Sequence, residues 1–297
     1  MLARPGLPSF DYLKAQSHVQ AVRLLLEMGA EARLLMGGTD LFPALRNAKV
    51  HPRVLIDVKH ITGMGDVAYD NRTGLCVGAA VTMNQLASHP QVRTHYPVLA
   101  QAAGCVAVYQ IRNRATLGGN LCNASPCADT APAALVLDAM LDLHGPDGKR
   151  SVPVSDWFLA PGQAAIQPGE LLAGVRFPAS PRGGVGTYLK LGRSKAGDLS
   201  LVSVAVLAFP DATASGYRFR LALGSVAPTP IRAGEAEEWL AGATLSEESF
   251  AHAAQKAMEA SSPITDVRGT IEYRRAMVRT LTLRALRDVW AQIRKGV

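Results

Sequence analysis

Apolar and polar positions along the chain change period several times, and each change marks an element. SHVQAVRLLLEMG (17–29) carries apolar residues at helical spacing, with Ser17 placed to cap its start and Gly29 to stop it. ARLL then reads as a short apolar strand that ends in a Gly-Gly turn, and RVLIDV (53–58) and GLCVGAAVT (74–82) read as buried strands. MNQLASHPQV, entered through Thr82 as a candidate N-cap, and VLAQAAGCVAV predict two helical stretches separated by His95-Tyr96-Pro97. A second glycine turn lies in ATLGGNLCNASPCADTAP. Beyond it AALVLDAMLDLHG predicts a short helix giving way to a strand, GPDGK (145–149) a hairpin turn, and LAGVRFP another strand.

After Pro178 the pattern shifts. ASPRGGVG (179–186) reads as a linker, and three strand candidates follow: TYLKLGRS, SLVSVAVLAF and YRFRLALGSV. Helical periodicity returns at about 233–241, 246–260 and 270–294. Strands followed by helices indicate an α+β lobe. The expected division is 1–178, itself split near 58 into subdomains 1–58 and 59–178, and then 179–297.

Composition narrows the function. The chain has 297 residues, 48% hydrophobic and 19% charged, which is ample for a buried core. Aromatic residues make up only 6% against 27 glycines, so close backbone approaches matter more here than ring stacking. Net charge is +7, yet the basic residues are dispersed. The densest stretch, Arg268 to Arg294, alternates with Val278, Leu281, Ala285 and Val289 as the solvated side of an amphipathic helix would. A nucleic-acid partner is therefore not expected. The opening MLARPGLPSFDY lacks an apolar h-region, and no run reaches the roughly 18 apolar residues of a membrane span. Neither a secretory leader nor a membrane span is expected. Four cysteines, Cys76, Cys105, Cys122 and Cys127, do not suggest a disulfide framework, and a reducing cytoplasmic setting fits.

Candidate chemistry sits in the two glycine turns. In Met36-Gly37-Gly38-Thr39-Asp40 a strand ends in paired glycines, whose backbone N–H groups can converge on an anion, and Thr39 adds a hydroxyl. The string has neither the GK[ST] ending of a P-loop nor the third glycine of GxGxxG, and on its own it reads as a tight strand-to-loop turn. The second motif, Thr116-Leu117-Gly118-Gly119-Asn120, again pairs glycines, flanked by side chains able to bind phosphate or ribityl hydroxyls. Asp129, nine residues on, suits a neutral polyol better than a phosphate. Two anion-friendly turns and a hydroxyl-binding acid fit a dinucleotide with an extended sugar chain, gripped through main-chain amides of both turns.

LLMGGTDLFPALRN, QIRNRATLGGNLCNASPCADTAP and TYLKLGRSKAGDLSLV, in that order, resemble the medium FAD subunit of the molybdenum hydroxylases, the xanthine dehydrogenase and carbon monoxide dehydrogenase family. The resemblance implies a vanillyl-alcohol-oxidase-type (PCMH-type) FAD-binding fold. Two α/β subdomains would hold FAD between them, followed by a C-terminal three-stranded antiparallel sheet with helices. By position it puts pyrophosphate contacts on Met36 to Asp40 and Thr116 to Asn120. Asn123 falls near the phosphate or ribityl chain, Asp129 on the ribityl hydroxyls, and Leu172 where a backbone meets the flavin. Lys190 falls near the isoalloxazine ring, where a cation would stabilise a reduced, anionic flavin; without the resemblance it reads as a solvated edge-strand lysine. Gly197-Asp198-Leu199 departs from the carbon monoxide dehydrogenases, which carry an aromatic after Gly-Asp in the loop that shields the flavin.

Cys122 and Cys127 lie five apart, but a cluster needs four ligands, and the histidines show no metal spacing. No nucleophile motif or acid/base pair is evident, so no catalytic residue is assigned and the flavin would do the chemistry. The resemblance implies an electron relay between an iron–sulfur small subunit, which bridges to a molybdopterin-binding large subunit, and an external acceptor (NAD, oxygen or a quinone). A stand-alone flavin reductase of the same fold, such as an enolpyruvate reductase, and a basic non-catalytic binding module are the alternatives.

Overall fold

The first sheet is wholly parallel and small. In the computed structural model, which describes residues 6–194 and 197–296, β1 (Asp11–Lys14), α1 (His18–Met28), β2 (Ala32–Leu35), α2 (Leu41–Arg46) and β3 (Val54–Asp57) follow one another, and the strands pair in the order β1-β3-β2. The central strand β3 is buried along its whole length, its apolar Val54-Leu55-Ile56 run ending in the buried Asp57. Ser17 caps α1 by accepting from the amide of Gln20, and Gly29 ends it at φ +52°. Residues 1–5 of the N-terminal stretch and residues 195 and 196 of the third family-like segment lie outside the described residues.

The second sheet is antiparallel. β4 (Val67–Asp70) and β5 (Gly74–Gly78) lead into six helices, α3 (Met83–Ser88), α4 (Pro90–His95), α5 (Pro97–Gly104), α6 (Tyr109–Arg112), α7 (Leu117–Cys122) and α8 (Thr130–Val136). The chain returns through β6 (Met140–Gly145), β7 (Gly148–Pro153), the small pair β8 (Phe158–Ala160) and β9 (Gln163–Ala164), and β10 (Leu171–Phe177), giving the order β4-β5-β10-β6-β7. The stretch expected as one helix from Met83 breaks at His89. Pro90 forces its predecessor into extended backbone (φ −64°, ψ 126°) and starts α4 instead. The second glycine motif also differs from expectation. It is the helix α7, not an open turn.

The third sheet, β11 (Val185–Leu191), β12 (Val202–Pro210), β13 (Tyr217–Gly224) and β14 (Ile231–Arg232), is antiparallel in chain order. It contains the three expected strands, and the two-residue β14 adds an edge too short to leave a period in the sequence. The helices α9 (Gly234–Gly242), α10 (Glu247–Glu259) and α11 (Ile271–Lys295) cover one face. Val202, Val204 and Val206 of β12 join that helical core, whereas Ala205 and Leu207 join the core of the first two sheets. Tyr188 of β11 also points to the latter side. Alternation along a strand thus feeds two cores from one sheet. Val278, Leu281, Ala285 and Val289 are buried in α11 as its period predicts. Arg274 is the exception to a solvated basic face: it is 3% exposed and donates to the carbonyls of Leu201 and Ser225 and to Asp266. Among the described residues no helix is long and apolar enough to cross a membrane.

Candidate functional site

The two glycine motifs meet. β2 delivers Met36-Gly37-Gly38-Thr39-Asp40 against the chain just before α7, so closely that a Cβ on Gly37 would lie 2.3 Å from the carbonyl oxygen of Arg114 and 3.1 Å from Cα of Ala115. Gly38 takes φ +73°, a conformation costly for any other residue, and a Cβ there would strike the Phe42 ring at 2.6 Å. Among the described residues the N–H groups of Gly37, Gly38 and Thr39 donate to no protein acceptor, while the Gly38 carbonyl accepts from the amide of Phe42 at 3.0 Å. Adjacent, similarly directed N–H groups form an anion-binding concavity.

The second motif works differently from the expectation that its amides also grip a diphosphate. Thr116 caps α7 by accepting from the amide of Gly119 at 3.1 Å. Leu117 and Gly118 donate backwards, to the carbonyls of Val81 at 3.0 Å and Ala79 at 2.9 Å, and Asn120 donates to Thr116 at 3.0 Å. Gly118 is glycine for packing, since its Cβ would fall 2.6 Å from Cβ and 2.7 Å from the carbonyl oxygen of Ala79. Leu117 and Gly118 are therefore buried behind the site. What α7 brings to the cavity includes side chains: the Asn120 side-chain carbonyl accepts from the Thr130 hydroxyl at 2.5 Å, and Asn123 follows one turn on.

Between the motifs lies a cavity of about 1090 Å³. It is lined by Met36 to Asp40, by Thr116, Gly119, Asn120, Asn123 and Asp129, and by Leu172 at a β-bulge in β10. The loop Gly197-Asp198-Leu199 also reaches it. Of the residues expected at the site, Leu117, Gly118 and Lys190 alone stand off the cavity wall. Lys190 is neither solvated nor turned to the cavity: its ammonium donates to Asp129 Oδ2 at 2.7 Å and to the Cys105 carbonyl at 2.9 Å. Asp129 Oδ1 accepts from the phenol of Tyr188 at 2.7 Å. Burial pushes the Asp129 carboxyl upward, and the Lys190 charge and both hydrogen bonds oppose that shift.

Two further lining acids, Glu170 and Asp198, have their own cations. Glu170 is clasped by Arg150 at 2.5 and 2.7 Å, and Asp198 by Arg193, which holds its carboxyl well below the usual carboxylate range. Asp40 has no basic partner among the described residues. Its own surface is open to solvent, but the protein around the cavity mouth raises its carboxyl. Burial pushes the Cys122 thiol up to about 12 and keeps it a neutral thiol.

Arg112, Tyr188 and the Arg150–Glu170 pair stand around the site beyond the residues that the sequence singles out. Arg112 donates to the carbonyls of Val106 and Ala107 at 3.0 and 3.2 Å and to Asn84 Oδ1 at 3.0 Å, holding the wall where Ala107 sits at φ +42°. Its place in the IRN string was the available signal.

The residues present fit a flavin dinucleotide. The lining offers amides without protein acceptors at residues 37–39, the amide side chains of Asn120 and Asn123, the Asp129 carboxylate and the apolar Leu172, a set of donors, acceptors and apolar surface of the kinds a diphosphate, a polyol and a ring system need. Comparison with known proteins agrees. Residues 8–180 match the FAD binding domain in molybdopterin dehydrogenase, and residues 187–289 the CO dehydrogenase flavoprotein C-terminal domain. The chain is 33% identical to the carbon monoxide dehydrogenase medium chain of Hydrogenophaga pseudoflava, over 96% of this chain and 98% of that one. It is 31% identical to a putative xanthine dehydrogenase FAD-binding subunit of Escherichia coli, over 95% and 96%. The structure superimposes on a chain of a solved H. pseudoflava carbon monoxide dehydrogenase, one lacking the Mo-pyranopterin moiety, with a TM-score of 0.92 and 33% identity, covering 97% of this chain and 99% of the other. The fold is thus the PCMH-type FAD-binding architecture with its C-terminal antiparallel sheet. The chain belongs to the FAD-binding subunits of the molybdenum hydroxylase family, of the carbon monoxide and xanthine dehydrogenase type, and its cofactor is FAD.

Proposed function

We propose that this chain is the electron relay of a heteromeric, cytoplasmic molybdenum hydroxylase. It would take electrons from an iron–sulfur small subunit, which bridges to a molybdopterin-binding large subunit, and pass them to an external acceptor. Bound FAD supplies the redox chemistry. The polypeptide binds, orients and shields it. Amides of Gly37, Gly38 and Thr39, with the Thr39 hydroxyl, hold the diphosphate; Asn120, Asn123 and Asp129 hold the ribityl chain; Leu172 packs against the ring system. Residues 1–178 form the FAD-binding part under this reading, and 179–297 the closing lobe.

The observation that carries the reading is the donor set. Neutral amides without a protein acceptor line the cavity at residues 37–39, among acids that, except for Asp40, are each paired with a cation. Such a surface accepts an anion without a local excess of positive charge.

The full chain, purified alone, should take up FAD and show no oxidation of any organic substrate. Mixed with its reduced iron–sulfur partner it should bleach in the flavin absorbance bands. Substrate oxidation by the isolated chain would overturn the relay assignment, and a colourless chain that refuses FAD would overturn the site.

A further inference from the structure

Asp129 is held in place by the third sheet, whereas β2 and β10, which line the cavity, belong to the first two. Tyr188 and Lys190 stand two apart on β11 and so share a face, and both reach the same carboxylate. The Tyr188 phenol donates to Oδ1 at 2.7 Å and the Lys190 ammonium to Oδ2 at 2.7 Å. Tyr188 is 5% exposed, and the Lys190 and Asp129 side chains 11% and 7%. Asp129 lines the cavity; Tyr188 and Lys190 do not. Each oxygen of a carboxylate carries two lone-pair sites, so one donor apiece leaves an acceptor position on each.

Stability alone gives little reason for this trio. A buried charge with its hydrogen bonds is seldom better for the fold than apolar side chains of equal volume. The Tyr188 ring already belongs to the apolar core shared with the first two sheets, and its hydroxyl is bonded to Asp129.

We propose that Tyr188 is a positioning residue of the flavin site. Together with Lys190 it fixes Asp129 so that the remaining lone pairs of the carboxylate face the cavity as acceptors for hydroxyls of the bound polyol chain. This rests on the reading that FAD occupies the cavity. It also makes the C-terminal sheet a contributor to cofactor affinity with no atom of Tyr188 touching the cofactor.

The titratable and charged groups facing Asp129 are Tyr188 and Lys190 of β11 and the thiol of Cys105 after α5. Burial raises the carboxyl, while Lys190 and Tyr188 favour its charged form. Deleting the phenol hydroxyl removes one opposing influence, so the carboxyl becomes protonated at a higher pH. A protonated Asp129 presents a donor where an acceptor is needed, and FAD affinity falls.

The test is titration of the full apo-chain with FAD, followed by flavin fluorescence across the acid to neutral range, for wild type, Tyr188→Phe, Asp129→Asn and the double variant. Tyr188→Phe should raise Kd by about tenfold and shift the acid limb of the affinity profile upward by about one pH unit. In the Asp129→Asn background the acid limb should vanish, and adding Tyr188→Phe should change Kd by less than about twofold, because its effect runs through the carboxylate. Should Tyr188→Phe fail to fold, Lys190→Met acts on the same carboxylate and must move the limb in the same direction. An equal loss at every pH, repeated undiminished in the Asp129→Asn background, would overturn the positioning role and leave the cofactor reading standing. A wild-type chain without FAD affinity would overturn both.

Discussion

Gly37 and Arg114 are in such close backbone contact that no side chain fits between them: a Cβ on Gly37 would sit 2.3 Å from the Arg114 carbonyl oxygen. Two segments far apart in sequence are thereby locked together at the cavity edge, and the amides beyond Gly37 inherit their direction from that contact. Gly37→Ala should force the segments apart, cost roughly 1–3 kcal/mol as overpacking does, and lower FAD affinity by at least about tenfold. Gly65→Ala, where nothing lies within 4 Å, serves as the control in the same fluorescence titration.

Gly118 should behave differently. Its glycine accommodates Ala79, and its amide is already bonded to the Ala79 carbonyl. Gly118→Ala is therefore expected to destabilise the apo-protein itself, by roughly 1–3 kcal/mol in urea denaturation. An unchanged denaturation midpoint combined with lost FAD binding would return Gly118 to the role of a phosphate-gripping amide.

Asp40 carries the uncompensated carboxylate of the cavity. Its raised pKa means that the charged form is disfavoured in the folded chain, so the penalty exists above the folded pKa and disappears below the ordinary carboxylate value. Asp40→Asn should raise the apo-protein's melting temperature at neutral pH and tighten FAD binding a few-fold. Both gains should fade as the pH falls through the carboxylate range. Weaker binding at neutral pH would show that Asp40 accepts a hydrogen bond from the cofactor.

Arg274 pins the C-terminal lobe from inside α11. Arg274→Met leaves the Leu201 and Ser225 carbonyls and Asp266 short of a donor, and should cost roughly 2–4 kcal/mol in a denaturant titration. Asp266 is held down to about 2, chiefly by the amide of Arg268 and then by Arg274. A depressed carboxyl contributes stability above its ordinary value of 3.8 that is lost as the pH falls toward 2. The variant should lose part of that acid-dependent increment, so its stability gap from wild type narrows in acid.

Local chemistry was legible wherever it stayed local. Ser17 and Thr82 cap the helices their spacing assigns them, and the β12 run reads as a strand because both of its faces are apolar. What stayed hidden depends on distant partners. Nothing around Gly118 announces that Ala79 crosses it, so paired glycines read as a turn when one of them serves packing. Tyr188 is an ordinary aromatic in an alternating strand, and its partner Asp129 lies 59 residues away. Lys190 and Arg274 are charged residue types on interior-facing positions, Lys190 on the strand face of Tyr188 and Arg274 one turn before Val278, and each is met there by a carboxylate that its own neighbours do not announce.

β12 serves two interiors at once, with Val204 and Val206 given to one and Ala205 and Leu207 to the other. Severing the chain in the Pro/Gly-rich stretch before β11 would therefore strip each half of a wall and uncover sticky aliphatic surface on both fragments. Heating should accordingly melt the intact polypeptide in one step, and neither portion expressed by itself should remain monodisperse.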